Sequence, residues 1–482
     1  MKFFKKGEKP SALVSLLPFV FLVAALSMVI YVFGTSALDG ASQVALLFAA
    51  GFTVVLAMVL YRIPWKVFED SILENITSVG TSIVILLLIG AVSGSWMISG
   101  VVPTMIYYGM KVIFPEIFLF ASCVISALIA VMTGSSWTTI ATIGVALVGI
   151  GTAQGYEPGW IAGAIISGAY FGDKISPLSD TTVLASSSAG TPLFTHIKFM
   201  MVTTVPSFVI TLIIFLVISL LHDQPSGALV ADFANDLKNS FNISPWLLLV
   251  PVLTGILIAK KVSAIATLFI AAVIAGVAAL MFQPQVIGAI AGNAGEGLTF
   301  VDGFKGLSIM YYGATAVETG NEALNSLVST RGMTGMLSTV FLIIAASCFG
   351  GTLVGSGMLQ SLTDTLVKYV RRRVSMVAST VGTGVFANMI TGDQYLSILL
   401  TSSLYKKLYQ ERGYESKLLS RSVEDSATVT SVLIPWNSCG MTQATVLKVA
   451  TLDYLPYCFF NLLSPLMSIF IAAIGYKIVR KK

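Results

Sequence analysis

The chain has 482 residues, of which 56% are hydrophobic and only 11% are charged, and its net charge is +5. Soluble domains are about 25% charged, so this chain has too few charged side chains to cover soluble domains of the same total length. Composition therefore excludes an ordinary soluble protein, and the mean hydropathy of +0.88 predicts a membrane protein. Cytoplasmic loops account for a positive net charge, so no nucleic-acid partner is expected.

Ten segments without Asp, Glu, Lys or Arg follow one another along the chain. Each is at least as long as the roughly 20 residues that a spanning helix needs. They lack the alternation of barrel strands, so they predict an all-α polytopic membrane protein. The first of them follows the basic segment 1–9. It is longer than the apolar core of a signal peptide and is interpreted as a retained membrane anchor.

Basic residues determine the predicted topology because cytoplasmic loops are rich in Lys and Arg. The basic ends place both termini in the cytoplasm, and the acidic segment 222–244 is placed outside. The arrangement that fits has five spans in each half of the chain. The expected spans lie near 11–34, 41–61, 80–100, 158–190 and 196–221, and near 245–259, 262–282, 334–357, 417–440 and 454–478.

An extra pair of apolar segments lies between the third and fourth span of each half, at 116–152 and 374–410. Each pair is predicted to be a re-entrant hairpin that turns at a polar tip. Two complete spans would give the same topology, so that alternative stays open. The tips comprise Thr133, Gly134, Ser135 and Ser136 in the first half and Thr391 and Gly392 in the second. Segments 62–78 and 303–330 are expected to lie at the membrane interface.

Short matches suggest an internal repeat. Thr133-Gly134 matches Thr391-Gly392 and 155–157 matches 413–415, both at an offset of 258, and Ser99-Gly100 matches Ser356-Gly357 at 257. Five spans per half is an odd number, so the repeats must be inverted, which is the architecture of secondary transporters. The predicted fold is therefore two inverted-topology repeats, residues 1–235 and 236–482, each with about five spanning helices, a re-entrant hairpin and a broken helix.

The most informative motif lies in the middle of the fourth apolar span, at residues 171–182. Pro177 removes a helical hydrogen bond, so an unwound stretch is expected, which membranes tolerate only beside protein or a water-filled cavity. The oxygens of Asp173, Ser176, Asp180 and Thr181 are hard ligands suited to a small cation such as Na⁺. The alternative is a loop at the membrane edge.

A second motif, residues 424–431, occupies the corresponding place in the second half. Glu424 and Thr428 are four residues apart and would share a helix face, and Asp425 could pair with Thr428 instead. Acids inside membrane helices are rare and usually functional. The alternative is the start of a cytoplasmic helix beside Arg421. Ser426 and Asn437 complete this candidate set.

The hairpin tips are a third candidate because half-helix ends can hold ions or substrate groups. Asp393 lies where the first tip has Ser135, so the tips share position but not chemistry. Trp137 is expected to pack beside the first tip. Lys174 is the cation among the acids, and it either neutralises Asp173 or extends to the membrane surface.

The two motifs resemble the signatures of the NhaC-type sodium/proton antiporters, over nearly the whole chain. The matching patterns are GxxFGDxxSPLSDTT and EDSxTVTSxLIPWNSCG. The residues matched are Asp173, Ser176, Asp180 and Thr181 in the first pattern and Glu424, Asp425, Ser426, Thr428, Trp436 and Asn437 in the second. The resemblance implies the inverted-repeat fold and exchange of cytoplasmic Na⁺ for external H⁺ in a prokaryotic inner membrane. Relatives in this family move malate and lactate with these ions.

One site could hold either Na⁺ or H⁺ at its carboxylates. Desolvation disfavours the ionised form of a carboxylate and so favours a bound proton, whereas a bound Na⁺ favours the ionised form. The expected central acids are Asp173 and Asp180 together with Asp393 and either Asp425 or Glu424. The second hypothesis is a Na⁺- or H⁺-coupled carrier of a small organic anion or an amino acid. The usual carboxylate clamp is Arg, and none is predicted in the core, although hairpin tips could replace it.

Other classes fit less well. Gly172-Asp173 and Gly392-Asp393 invite comparison with intramembrane aspartyl proteases, but the further glycine that such enzymes need is Tyr170 or Ile390 here. An enzyme is therefore not expected, and a channel is disfavoured by the inverted repeats. No cofactor is expected. The expected partners are Na⁺, H⁺ and the lipid bilayer, with a small carboxylate and a homodimer left open.

Overall fold

The computed structural model describes residues 10–33, 40–222, 227–260, 262–293, 297–368 and 372–478. The basic residues at both ends of the chain, together with Lys261 and Arg371, lie outside these ranges. The described residues form helices, and an isolated bridge pairs Thr315 with Thr330. This confirms the all-α prediction.

The helices of the first half begin near residue 12 and end at residue 221. They are α1 Ala12–Phe33, α2 Ala41–Tyr61, α3 Trp65–Ser78, α4 Gly80–Ile98, α5 Val101–Val112, α6 Phe118–Thr133, α7 Ser136–Thr139, α8 Val145–Ala153, α9 Pro158–Ile175, α10 Asp180–Ala189 and α11 Leu193–Leu221. A π-helical turn at Ile140–Gly144 joins α7 to α8. The second arm of the first hairpin is therefore nearly continuous.

The helices of the second half run from residue 227 to residue 474. They are α12 Gly227–Ser240, α13 Leu249–Ala259, α14 Ala264–Phe282, α15 Pro284–Ala291, α16 Phe300–Tyr312, α17 Glu322–Val328, α18 Leu337–Gly355, α19 Met358–Lys368, α20 Arg373–Thr391, α21 Gln394–Glu411, α22 Ser416–Val423, α23 Ser438–Leu447, α24 Thr451–Tyr454 and α25 Phe459–Ile474. A π-helical turn at Glu424–Thr428 follows α22.

Within the described residues, nine helices are long and apolar enough to cross a membrane, or up to eleven if each of two bent helix pairs is one span. The polytopic prediction is confirmed. Both arms of the first hairpin and the first arm of the second are among the nine. Their lengths fit complete crossings as well as re-entrant arms, so the re-entrant hairpin stays a prediction.

Some predicted spans differ from the helices that form. The span near 245–259 contains only the 11-residue α13, which is preceded by a 3₁₀ turn and joined to α12 through a bend of 91°. The last span bends by 56° at Cys458 between residues 451–457 and α25. Apolar runs show where lipid surrounds the chain, but they do not show where a helix bends.

The two hairpin tips have the same local structure. Each first arm ends at a glycine with a left-handed backbone, Gly134 and Gly392, both with φ 63°. The next residue, Ser135 or Asp393, caps the second arm by accepting a hydrogen bond from the backbone N–H three residues later. In each tip the preceding threonine, 133 or 391, hydrogen-bonds the backbone of that capping residue. The inverted orientation of the two halves and their boundary remain predictions.

The first hairpin packs directly on the broken helix α9. A side chain added at Gly168 would lie 2.0 Å from the carbonyl oxygen of Cys123, and one added at Gly172 would lie 2.1 Å from that of Ala127. Such contacts are far shorter than any real carbon–oxygen packing distance, so only glycine allows α6 and α9 to approach this closely. This contact positions the first motif beside the first hairpin tip.

Candidate functional site

The first motif contains the helix break that the sequence predicts. Helix α9 ends at Ile175 and α10 begins at Asp180, with Pro177 between them. The Ser176 hydroxyl donates to the carbonyl oxygen of Val131 on the hairpin, at 2.8 Å. The Ser179 side chain caps α10 by accepting from the backbone N–H of Thr182. The break is therefore held by specific hydrogen bonds to the hairpin and to α10.

The Asp173 carboxylate contacts the tip of the first hairpin. Its Oδ2 atom accepts hydrogen bonds from the backbone N–H of Ser136 at 3.0 Å and from the Ser136 hydroxyl at 2.8 Å. Ser136 is the first residue of α7, so the carboxylate lies at a helix N-terminus, where the helix dipole favours negative charge. The side chain is almost entirely buried.

A cavity of about 650 Å³, which we call the acid-lined cavity, opens beside Asp173. Its walls include residues 133–138, 173, 178–181 and 394–396, together with parts of α3, α4, α13, α14 and the loop before α14. It therefore brings together the first hairpin tip, Asp173, Asp180 and Thr181. Asp180 is exposed in the structure. Ser176 is next to this region, but its hydroxyl is committed to Val131.

Asp393 is buried at the second hairpin tip and does not line the acid-lined cavity. Its Oδ1 atom accepts from the backbone N–H of Leu396 at 2.9 Å, and its Oδ2 atom accepts from the Ser438 hydroxyl at 3.3 Å. The next two residues, Gln394 and Tyr395, do line the cavity. Tyr395 lies within electrostatic range of Asp173, Asp180 and Asp393. The second half thus contributes an amide and a phenol to the cavity where a carboxylate is expected.

The second motif also forms an interrupted helix. After the π-helical turn, a short 3₁₀ segment and a turn at residues 434–437 lead to α23, which the Asn437 side chain caps by accepting from the backbone N–H of Cys439. The Asn437 amide donates to the carbonyl oxygen of Asn388 at 3.1 Å, and the Trp436 indole donates to that of Met389 at 2.7 Å. The Ser426 hydroxyl bonds back to Ser422 within its own helix. These residues shape the break rather than line the acid-lined cavity.

Lys174 forms a buried ion pair with Asp425. Its Nζ atom lies 2.5 Å from Asp425 Oδ1, and both side chains are fully buried. The hydroxyls of Thr203 and Ser464 lie 3.1 Å and 3.4 Å from the same oxygen. Lys174 is therefore a counter-charge to Asp425 rather than to Asp173, and it does not extend to the surface. The expected pairing of Asp425 with Thr428 is also replaced by this ion pair.

The expectation that the core lacks an arginine is wrong, because Arg421 lies in the core. Its side chain is fully buried, with Nε 3.8 Å from Asp425 Oδ2 and the guanidinium over the ring of Phe199. Among the described residues its nitrogens make no hydrogen bond. Arg421 is the last residue of a basic stretch that is typical of a cytoplasmic loop. Its burial was therefore not predicted from the sequence. The available signal was the four-residue spacing to Asp425.

Glu424 is fully buried, and neither of its carboxylate oxygens accepts a hydrogen bond from the described residues. The hydroxyl of Thr428 likewise makes none, so the expected Glu424–Thr428 pair does not form. The expected acids thus have three different kinds of surroundings. Asp173 and Asp180 line the cavity, Asp393 caps the second hairpin, and Asp425 and Glu424 lie in the interior.

The described residues contain no group of three or more His, Cys, Asp or Glu side chains that could hold a metal ion. Cation ligands in the acid-lined cavity would be two carboxylates with hydroxyl and carbonyl oxygens, which suit a weakly held, exchangeable cation. Sequence reasoning missed Gln394 and Tyr395 in this cavity. Their position directly after the second hairpin tip was the signal that could have identified them.

Comparisons with known proteins agree on one family. A family model described as the Na⁺/H⁺ antiporter family matches residues 5–191 and 168–476. The Na⁺/H⁺ antiporter NhaC of Bacillus subtilis (strain 168) is 36% identical over 417 residues, which cover 86% of this chain and 88% of the relative.

Two relatives with other names are similar over comparable lengths. The malate-2H⁺/Na⁺-lactate antiporter of Bacillus subtilis (strain 168) is 34% identical, covering 91% of this chain and 89% of the relative. The arginine/ornithine antiporter ArcD of Halobacterium salinarum (strain ATCC 700922 / JCM 11081 / NRC-1) is 31% identical, covering 99% of this chain and 95% of the relative.

Proposed function

Because this chain belongs to the Na⁺/H⁺ antiporter family, we propose that it exchanges cytoplasmic Na⁺ for external H⁺ by alternating access. The membrane is the cell inner membrane, and both termini lie in the cytoplasm. The reaction moves ions and breaks no covalent bond, so the protein is a transporter and not an enzyme.

The observation that carries the proposal is the position of Asp173 in the acid-lined cavity, opposite the start of a hairpin arm. A carboxylate there can hold a proton or Na⁺ but not both, because each neutralises the same charge. Asp180 and the hydroxyl of Thr181 line the same cavity and supply further oxygen ligands. Competition between the two cations at one site becomes exchange when the site faces each side of the membrane in turn.

The lining of the acid-lined cavity supports a cytoplasmic opening. Ser78 and Ser82 line it on one side, and Val262 and Ser263 line it on the other. The latter two follow the lysine pair 260–261, which cytoplasmic loops favour. In this state Na⁺ would reach the Asp173 carboxylate from the cytoplasm. Release to the outside would require the hairpin tips and broken helices to move.

A second candidate is a Na⁺- or H⁺-coupled carrier of a small organic anion or an amino acid. The burial of Arg421 favours it, because the expected absence of a core arginine was the argument against it. The malate–lactate and arginine–ornithine relatives point the same way. However, Arg421 does not line the acid-lined cavity and faces Asp425 instead. Na⁺/H⁺ exchange therefore remains the proposed function.

Proteoliposomes that contain the purified protein and a pH-sensitive dye separate the two candidates. NaCl, LiCl, KCl, malate, lactate and arginine are added in turn, and protein-free liposomes are the control. Proton movement driven by Na⁺ alone supports the antiporter. Silence with Na⁺ alone, followed by a response when an organic solute is also present, would overturn it in favour of the carrier.

A further inference from the structure

A second cavity of about 650 Å³ lies away from the acids. Residues 314–316 and 329–332 form one wall, and residues 444–446 and 448–450 form another. Because Arg331 and Lys448 are its charged lining residues, we call it the basic cavity. None of the acids of the candidate site lines it.

The basic cavity and the acid-lined cavity lie at different depths along α4. Ile85 lines the acid-lined cavity and Ser93 lines the basic cavity. These residues are eight positions apart on one helix, which corresponds to about 12 Å along its axis. Met441 lines the basic cavity one helical turn beyond Ser438, the hydrogen-bond partner of Asp393. The basic cavity thus approaches the second hairpin tip.

The two cations come from different loops. Lys448 has a left-handed backbone, with φ 57°, which is uncommon for a residue other than glycine. Its ammonium donates to the carbonyl oxygen of Leu327 at 3.1 Å and to that of Ser329, which holds the charge at the cavity. Arg331 is close enough to Lys448 for the two charges to repel each other. Among the described residues that line the cavity, none is acidic.

Topology does not account for these cations. The predicted arrangement places the segment before α18 and the segment after α23, which both line the cavity, on the outside, where Lys and Arg are normally depleted. A positive lining also disfavours Na⁺. Hydroxyl groups of Thr339 and Thr445, which hydrogen-bond each other at 2.9 Å, lie beside the apolar side chains of Leu342 and Met441 in the same lining. The combination suits a ligand with an anionic end and a short carbon skeleton.

We propose that the basic cavity binds a small organic carboxylate anion, with Arg331 and Lys448 as the residues that recognise the carboxylate. Arginine matches a carboxylate with two parallel hydrogen bonds, and lysine adds a point charge. A volume of 650 Å³ lies in the range of small-molecule sites. The proposal concerns equilibrium binding and does not depend on the proposed exchange of Na⁺ for H⁺.

The proposed anion site is tested by equilibrium binding of radiolabelled lactate and malate. The protein is purified, solubilised in detergent and kept in Na⁺-free buffer. We expect saturable binding by the wild type and at least about ten-fold weaker binding by Arg331→Gln, since this substitution removes the charge and the paired hydrogen bonds to the carboxylate. The matched control is Lys305→Gln, which removes a cation on α16 that donates to the carbonyl oxygen of Ala291 and does not line the cavity. This control should bind as the wild type does.

Lys448 also links two loops, so Lys448→Gln is compared with Lys448→Arg, which keeps the charge. We expect the arginine variant to retain more binding than the glutamine variant at equal thermal stability. Saturable binding that Arg331→Gln leaves unchanged would overturn the proposal, and so would no binding by the wild type. Displacement of the anion by phosphatidylglycerol but not by excess carboxylate would also overturn it. Na⁺-driven proton movement by the same preparation is scored separately, so a failed antiport proposal does not affect this result.

Discussion

Lys174 and Asp425, 251 residues apart in the chain, form a fully buried ion pair with 2.5 Å between Nζ and Oδ1. The pair joins the end of α9 to the π-helical turn after α22. Asp173, the neighbour of Lys174, instead contacts the first hairpin tip and the acid-lined cavity. These two consecutive residues therefore have different roles. Asp173 faces the proposed ion path, and Lys174 links the two broken helices.

Removal of Lys174 should destabilise the protein strongly, because the buried Asp425 then keeps only the longer contact with Arg421, whose Nε lies 3.8 Å from Oδ2. We expect Lys174→Met to lower the free energy of unfolding by about 3–5 kcal/mol, measured as thermal unfolding in detergent. The control is Lys66→Met, which breaks an exposed pair with Asp70 at 3.0 Å and should change stability by no more than about 1 kcal/mol. Equal effects at both lysines would contradict the structure.

The contact between α6 and α9 should be intolerant of a single methyl group. Gly172→Ala places a carbon against the carbonyl oxygen of Ala127, so we expect a loss of about 1–3 kcal/mol from overpacking and lower transport. Gly51→Ala is the matched control in the middle of α2, where a side chain meets nothing within 4 Å. That substitution should be neutral or stabilise the helix by up to about 1 kcal/mol. Thermal unfolding of both variants compares them.

Asp393 should matter to stability through its cap and not through its charge. Asp393→Asn and Asp393→Ser retain an acceptor for the backbone N–H of Leu396, whereas Asp393→Ala does not. The alanine variant should unfold more readily than the other two by about 0.5–2 kcal/mol. Ser135 performs the same capping in the first hairpin, so a serine is structurally suitable here. An alanine variant as stable as the serine variant would contradict this assignment.

The two cavities should open to opposite sides of the membrane. Ser263 lines the acid-lined cavity and Ala450 lines the basic cavity, and both are exposed. In vesicles of known orientation, a membrane-impermeant maleimide should label Ser263→Cys from the cytoplasmic face and Ala450→Cys from the external face. The native chain is the control, since three of its four cysteines are buried and Cys348 is partly buried. Labelling of both positions from one face would refute the proposed topology.

Helix positions were predictable where lipid determines them. Charge-free segments and glycine or proline positions located α2, the two hairpins and the break at Pro177, because length, hydropathy and proline geometry act locally. The bends beside α13 and at Cys458 were not predicted, although a 3₁₀ turn that contains a proline, Pro245 or Pro456, lies beside each of them. The repeat of the hairpin tips was detectable because both use the same glycine and threonine, 258 residues apart.

The candidate site was only partly predictable because sequence does not show which way a side chain points. Glu424 and Thr428 share a face in an α-helix, but the backbone there is a π-helical turn, which changes that register. Arg421 belongs to a stretch whose charge indicates a loop, yet packing of α22 against its neighbours buries it. Long-range ion pairs such as Lys174–Asp425 depend on the assembled fold and leave no spacing signal.

The central claim is that one carboxylate site holds either Na⁺ or H⁺, and proton release on Na⁺ binding tests it most directly. NaCl is added to the purified protein in weakly buffered detergent solution at a series of pH values, with choline chloride as the salt control. We expect the wild type and Asp70→Asn, an exposed acid on α3, to release protons equally. Asp173→Asn should release fewer protons while unfolding at a similar temperature. Binding of ²²Na⁺ by the wild type without proton release, or undiminished release from Asp173→Asn, would contradict the account.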